Sequence, residues 1–162
     1  DLPPVDVAIS CLGTTLKEAG SQGMFRRIDY EYVQVFGMAA RAAGARHYIL
    51  MSSVGARRTS SSYYLKVKAE AETAVSRLGF ERVDILRPGL LIGKRAPDRR
   101  NRRTLETIAQ KLLPLADPLL GGALRSYRTI PAPAVAAKVV ALATSAGGPG
   151  VTIHEYDQLI RA

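Results

Sequence analysis

Tyr64 and Lys68 stand four residues apart, so on a helix both side chains leave nearly the same face. Two hydroxyls, Ser52 and Ser53, follow the apolar run His47-Tyr-Ile-Leu-Met51 a short way upstream. A phenol, an ammonium and a hydroxyl gathered at a strand end form a proton-transfer site. A free phenol ionises at about pH 10, too high for easy exchange near neutrality. A nearby cation favours the phenolate and lowers that value, and Lys68 is placed to supply one. Ser52 or Ser53 could hold a substrate oxygen by hydrogen bond while Tyr64 moves a proton to or from it. The adjacent pair is less apt: Tyr63 finds Val67 four residues on, and Lys66 points away from Lys68, toward solvent.

These residues need a strand to end and a helix to begin nearby, and the apolar pattern predicts both. Val5 to Leu12 is nearly continuous in apolar residues, as in a strand buried on both faces of a parallel sheet. Gly13-Thr-Thr15 ends it, and a polar loop with Gly20 and Gly23 follows. From about Met24 to Ala43, Ile28, Tyr32, Val35, Phe36, Ala39 and Ala43 recur at three- and four-residue steps, which predicts a helix stopped by Gly44. A strand follows over 46–51, then a serine-rich loop over 55–62. A second helix is expected over 62–78, with Val67, Ala71, Ala74, Val75 and Leu78 along one side and Gly79 as its stop. The strand Val83-Asp-Ile-Leu-Arg87 is broken by Pro88-Gly89. Alternating strands and helices with short joints mean βαβ units and a parallel sheet. Beyond it the pattern predicts a basic loop over 93–103, a helix over 104–113 and a loop over 115–128. A proline-opened helix over 133–145, a strand over 151–156 and a short terminal helix complete the chain.

Size and composition fit one domain: 162 residues, 47% of them apolar, enough for a sizeable core. With 23 Lys plus Arg against 14 Asp plus Glu, the chain carries +9, a charge that could attract nucleic acid, anionic membrane or phosphorylated ligands without choosing among them. The single cysteine, Cys11, allows no internal disulfide, which fits a reducing compartment. No apolar stretch approaches the roughly 20 residues that span a bilayer, and the start lacks a signal-peptide pattern. The expected location is cytoplasmic. In an open parallel sheet, ligands sit at the carboxyl ends of the strands, here Cys11-Leu-Gly-Thr-Thr15, Ser52-Ser53 and Arg87-Pro-Gly89.

These ordered segments resemble the short-chain dehydrogenase/reductase superfamily in its extended or atypical branch. Cys11-Leu-Gly-Thr-Thr-Leu-Lys-Glu-Ala-Gly20 and Ser52-Ser-Val-Gly-Ala56 are similar, more specifically, to bacterial relatives of the Tat-interacting-protein oxidoreductase group. The likeness runs from about Val5 to Gly93, and more weakly over the helix after Pro133. It implies a Rossmann-like doubly wound parallel sheet and an NAD(P)-dependent oxidoreductase acting on a carbonyl or alcohol, or on a nucleotide-sugar-like substrate. It implies Tyr64 as catalytic acid/base, with Lys68 lowering its pKa and holding the nicotinamide ribose. Ser53 matches the catalytic serine better than Ser52, and both are kept as candidates. Cys11, Leu12 and Gly13 would line the cofactor near its adenosine-ribose side, and Pro88 and Gly89 its nicotinamide end. Asp29 falls where the family's central helix often carries Asn or Asp. The family's glycine-rich dinucleotide turn is not found, so the chain is expected to begin at the family's fourth strand, without the first βαβαβ half. That half normally separates NADP from NAD. An unpaired sheet edge is then expected. A non-catalytic NAD(P)-binding regulator or scaffold is the alternative, since fold does not dictate function.

The other features carry blander readings. The run Lys94 to Arg103 holds six basic residues and one acid and is read as a solvated loop, ahead of nucleic-acid contact or grip on an anionic substrate. The irregular region 94–130 would correspond to the family's substrate side, within a single domain over 1–162. His47 and His154 are far apart in sequence and no metal-ligand spacing occurs. His47 is expected to be structural, and Cys11 buried rather than reactive. The superfamily often forms homodimers through the helices at Ile28 to Ala43 and Tyr64 to Leu78.

Overall fold

A computed structural model of the chain describes residues 3–93 and 121–161. Four parallel strands form the central sheet in the order β1-β2-β3-β6: β1 (Val7–Ser10), β2 (His47–Met51), β3 (Arg82–Leu86) and β6 (Gly150–His154). The register sets Ser10 beside Leu50, Met51 beside Leu86 and Leu86 beside His154, so the strands end along one edge. Among the described residues β1 pairs with β2 alone, and Ile9 on it is 42% exposed. Two-residue strands β4 (Leu91–Ile92) and β5 (Ile130–Pro131) pair beyond the end of β3.

Alternation along the strands sends residues to two cores. Ala8, Tyr48, Leu50, Val83 and Ile85 meet the helices on one face. These are α2 (Gln22–Arg26), α3 (Tyr32–Ala42) and α4 (Tyr63–Val75). Ile49 and Leu86 face Val135, Leu142 and Leu159 on the other, from α5 (Ala132–Thr144) and α6 (Tyr156–Ile160). The expected βαβ order is therefore present. The predicted helix over 104–113 and the basic run 94–103 lie outside the described residues.

Three differences from the sequence reading have physical causes. The expected polar loop after β1 contains one helical turn, α1 (Leu16–Ala19), closed by a capping box in which Thr15 and Glu18 satisfy each other's backbone donors. The predicted long helix is continuous from α2 to α3, but Arg27–Glu31 winds as a π-helix. Its buried stripe is Phe25, Asp29, Val33, Gly37 and Ala40. Tyr32 and Val35, on the stripe suggested by periodicity, are 46% and 61% exposed. The turn near the end of the expected 115–128 loop is a 3₁₀-helix over Gly122–Tyr127.

A polar cluster lies within the second core. Asp84, 1% exposed, accepts from His47 Nε2 at 2.7 Å and from His154 Nε2 at 2.6 Å. Arg82 Nε stands 2.7 Å from the same carboxylate. His47 and His154, distant in sequence, thus meet on one acceptor across three strands. Burial alone would raise the Asp84 carboxyl, but His154, His47 and Arg82 overcome this and hold it below its ordinary value. Burial, aided by Arg82, lowers His47, against the pull of Asp84.

Candidate functional site

The site forms where β1, β2 and β3 end and α4 begins. Four-residue spacing puts Tyr64, Lys68 and Glu72 in one row along α4. Tyr64 is half-buried, its ring 5.5 Å from that of Phe25. The Lys68 ammonium lies 5.9 Å from the Tyr64 ring centroid, at the outer reach of a cation–π contact. Lys68 is itself buried, and its Nζ stands 2.8 Å from Asp29 Oδ1. The neighbouring Tyr63 is engaged elsewhere, its hydroxyl donating to the Gln22 carbonyl at 3.1 Å. Lys66 is exposed.

The two serines part company. Ser52 is buried and donates to Glu72 Oε1 at 2.5 Å. The same carboxylate takes Arg87 Nε at 2.9 Å and Nη2 at 2.6 Å. The hydrogen bonds that Arg87 donates to Glu72 hold the guanidinium above its ordinary value against the opposing effect of burial. Ser52 thus ties the end of β2 to α4 and β3, and its hydroxyl is committed to that brace. Ser53 is half-buried, and its hydroxyl makes a long 3.3 Å bond to the Val54 carbonyl. Ser53 is therefore the more available of the two candidates.

Cys11 and Leu12 line an open apolar groove of about 430 Å³ with Ile9, Ser10 and Phe36. The expectation that Cys11 is buried is corrected: it is exposed, because β1 ends at Ser10 and leaves Cys11 in the following loop. Gly13 passes directly over the ion pair. A Cβ there would stand 3.2 Å from Lys68 Nζ and 3.2 Å from Asp29 Oδ1. Beside it, the Thr14 N–H donates to Asp29 Oδ2 at 2.9 Å.

Pro88 and Gly89 leave β3 on the same edge. The Pro88 carbonyl accepts from the Val54 N–H at 3.0 Å, joining the loops after β2 and β3. Gly89 packs against backbone: a Cβ would collide with the Arg128 carbonyl oxygen and stand 3.2 Å from that of Ser126. Gly89→Ala is therefore expected to destabilise the protein by about 1–3 kcal/mol. Urea unfolding measures this, and an unchanged midpoint would remove the packing argument. Periodicity did not reveal Glu72 or its partnership with Arg87. The available signal was the Tyr64, Lys68, Glu72 spacing, which places an acid on an otherwise inward face.

Comparison with known proteins follows the same lines. No family model matches the chain. Protein HTATIP2 of Rattus norvegicus is 43% identical over 106 residues, covering 65% of this chain and 42% of that protein. Protein FMP52 of Candida albicans is 42% identical over 90 residues, covering 56% and 39%. The chain thus spans about two fifths of the length of these relatives. Among solved structures, RMD from Pseudomonas aeruginosa, complexed with NADPH, has a TM-score of 0.63 at 17% identity, covering 94% of this chain and 60% of that one. One expectation is overturned. The fungal FMP52 relatives are named as mitochondrial proteins, which contradicts the cytoplasmic assignment drawn from the lack of a signal pattern. Over the matched segments the chain is similar to the HTATIP2 and FMP52 proteins, and it shares a Rossmann-type fold with the NADPH-bound RMD structure.

Proposed function

We propose that this chain carries the catalytic side of an NAD(P)-dependent oxidoreductase acting on a carbonyl or alcohol. The supporting observation is the row on α4: a half-buried phenol with an ammonium 5.9 Å from its ring, at the edge where the parallel strands end. Tyr64 is the acid/base, giving a proton to the substrate oxygen in reduction and taking it back in oxidation. Ser53 holds that oxygen by hydrogen bond. Lys68 sets its ammonium beside the phenol ring and offers donors to ribose hydroxyls. The side-chain-free Gly13 above Lys68 suits a close-fitting sugar ring, since any Cβ there would fill the space. Leu12 and Cys11 line the flank, and Pro88 and Gly89 close the nicotinamide end. The bound dinucleotide supplies or accepts hydride at the substrate carbon.

Two measurements on the full-length protein test this reading. NADPH and NADH are titrated by intrinsic fluorescence, and then carbonyl compounds, including nucleotide-sugar-like ones, are screened for cofactor oxidation. Saturable binding and turnover on at least one carbonyl are expected. Binding without turnover on any compound would favour a cofactor-dependent regulator, and no binding at all would remove both readings.

A further inference from the structure

A second groove, of about 390 Å³, lies behind α4. It is lined by Tyr30 of the π-helical turn, Arg58 of the loop after β2, and Glu70, Thr73, Ala74 and Arg77 of α4. Steps of three and four residues set Glu70, Thr73 and Arg77 on the face of that helix opposite Lys68. The proposed chemistry uses none of these side chains. The volume falls at the lower end of small-molecule sites, which run from roughly 300 to 1,000 Å³.

The charges around this groove do not balance. The Glu70 carboxylate is taken by Arg26, whose guanidinium also lies 4.4 Å from the centre of the Tyr30 ring. That neutral pair and the ring form one wall. Arg58 and Arg77 are both exposed, and among the described residues neither guanidinium has a hydrogen bond or ion pair. Thr73 donates its hydroxyl proton to the Ala69 carbonyl at 2.8 Å, so it has no hydrogen to offer an anion. The groove thus presents two cations from two separate elements, and its own carboxylate is already engaged.

We propose that this groove binds a small soluble phosphate monoester, with Arg58 and Arg77 closing on the phosphoryl oxygens. Such an ester carries about two negative charges near neutrality and three acceptor oxygens. Guanidinium forks meet those oxygens through paired N–H donors. A carboxylate brings one charge and would leave one arginine unanswered. The rest of the groove, against the Tyr30 ring and Ala74, takes the organic body of the ester. Occupancy ties the loop after β2, which carries Ser53, to the back of the helix that carries Tyr64. The site itself does not rest on the function proposed above.

The test is isothermal titration calorimetry of the full-length protein with glucose 6-phosphate and with inorganic phosphate, and with glucose as the uncharged control. It is run near an ionic strength of about 0.1 M, where exposed charges more than about 10 Å apart are largely screened. Saturable binding is expected for the phosphate ester and none for glucose. Arg58→Ala and Arg77→Ala should each weaken it about tenfold or more, the size of a hydrogen bond to a charged group. Arg27→Ala, exposed but outside the groove, should change it by no more than roughly twofold. Glu70→Gln removes the carboxylate from the groove and should tighten binding. None of these side chains is buried, so the variants are expected to fold. No saturable binding of either phosphate overturns the proposal. So does a loss in Arg27→Ala as large as in Arg58→Ala, which would show diffuse attraction to a chain of charge +9. Unchanged or weaker binding in Glu70→Gln also overturns it. Sedimentation velocity covers the remaining occupant: a dimer that Arg58→Ala/Arg77→Ala dissociates, with no phosphate bound, would make the groove a contact between copies and sink the proposal.

Discussion

Tyr64→Phe is expected to lower turnover of a carbonyl substrate by about 10²–10⁴-fold, the range that a positioned general acid contributes, with the protein still folded. The substitution removes one oxygen and keeps the ring against Phe25. The aromatic contact that seats the start of α4 therefore survives. The other tyrosines near this face are poor substitutes. Tyr48 is fully buried, its hydroxyl faces the Val33 carbonyl, and burial pushes its phenol up to about 12. Tyr63 is anchored to Gln22. Tyr63→Phe serves as the control and should leave turnover within about threefold of the unsubstituted protein, in keeping with loss of one peripheral hydrogen bond. Steady-state kinetics with matched circular dichroism measures both. Should Tyr64→Phe keep more than about a tenth of the activity, below any general-acid contribution, the proton donor lies elsewhere.

The second large effect concerns stability, far from the chemistry. Asp84→Ala is expected to lower the unfolding free energy by about 3–5 kcal/mol, because a half-buried guanidinium and two buried imidazoles lose their shared acceptor. That is a large share of the roughly 5–15 kcal/mol that keeps a domain folded. The cluster also sets a pH dependence. The folded His47 binds protons less readily than the unfolded residue, whose reference value is 6.5. Its contribution is thus present above about pH 6.5 and is lost as pH falls through the folded value. Asp84, held below its reference value of 3.8, adds stability that is lost further into acid. Both contributions weaken in the same direction, so urea midpoints should fall steadily below about pH 6.5. Asp84→Ala should remove the part of that fall below about pH 3.8 and deepen the part that His47 contributes, because Asp84 pulls His47 upward against burial and Arg82. A loss under about 1 kcal/mol, the size of an ordinary surface change, would show that the cluster is dispensable.

Much of the fold was legible because its elements are periodic. β2, β3 and α5 fall within a residue of the patterned ranges, and α4 ends at Val75, short of the expected Leu78, since each buries one face or two against the sheet. The row Tyr64, Lys68 and the strand end before it were legible for the same reason. What escaped were features made by tertiary contact. β4 and β5 have two residues each and no period to read. Ser52 and Ser53 look alike in sequence, and the Glu72 carboxylate separates them. Cys11 reads as part of an apolar strand that runs on to Leu12, but hydrogen bonding to β2 stops at Ser10. Location was misjudged because the lack of a recognisable leader was taken as an address.

The π-helical turn at Arg27–Glu31 has a consequence for how this surface tolerates change. Phe25, Asp29, Val33 and Gly37 follow one another at intervals of four. In a uniform α-helix each such interval overshoots a full rotation by about 40°, and three would carry the last residue about 120° around the axis. The wider winding at 27–31 absorbs part of that overshoot, so a carboxylate and three core residues share one bearing. Deleting a single residue there would let the helix tighten, swing Asp29 away from Lys68 and leave the rest of the rod intact. Changes in length within that turn, more than changes of side chain around it, are what this part of the molecule is least able to absorb.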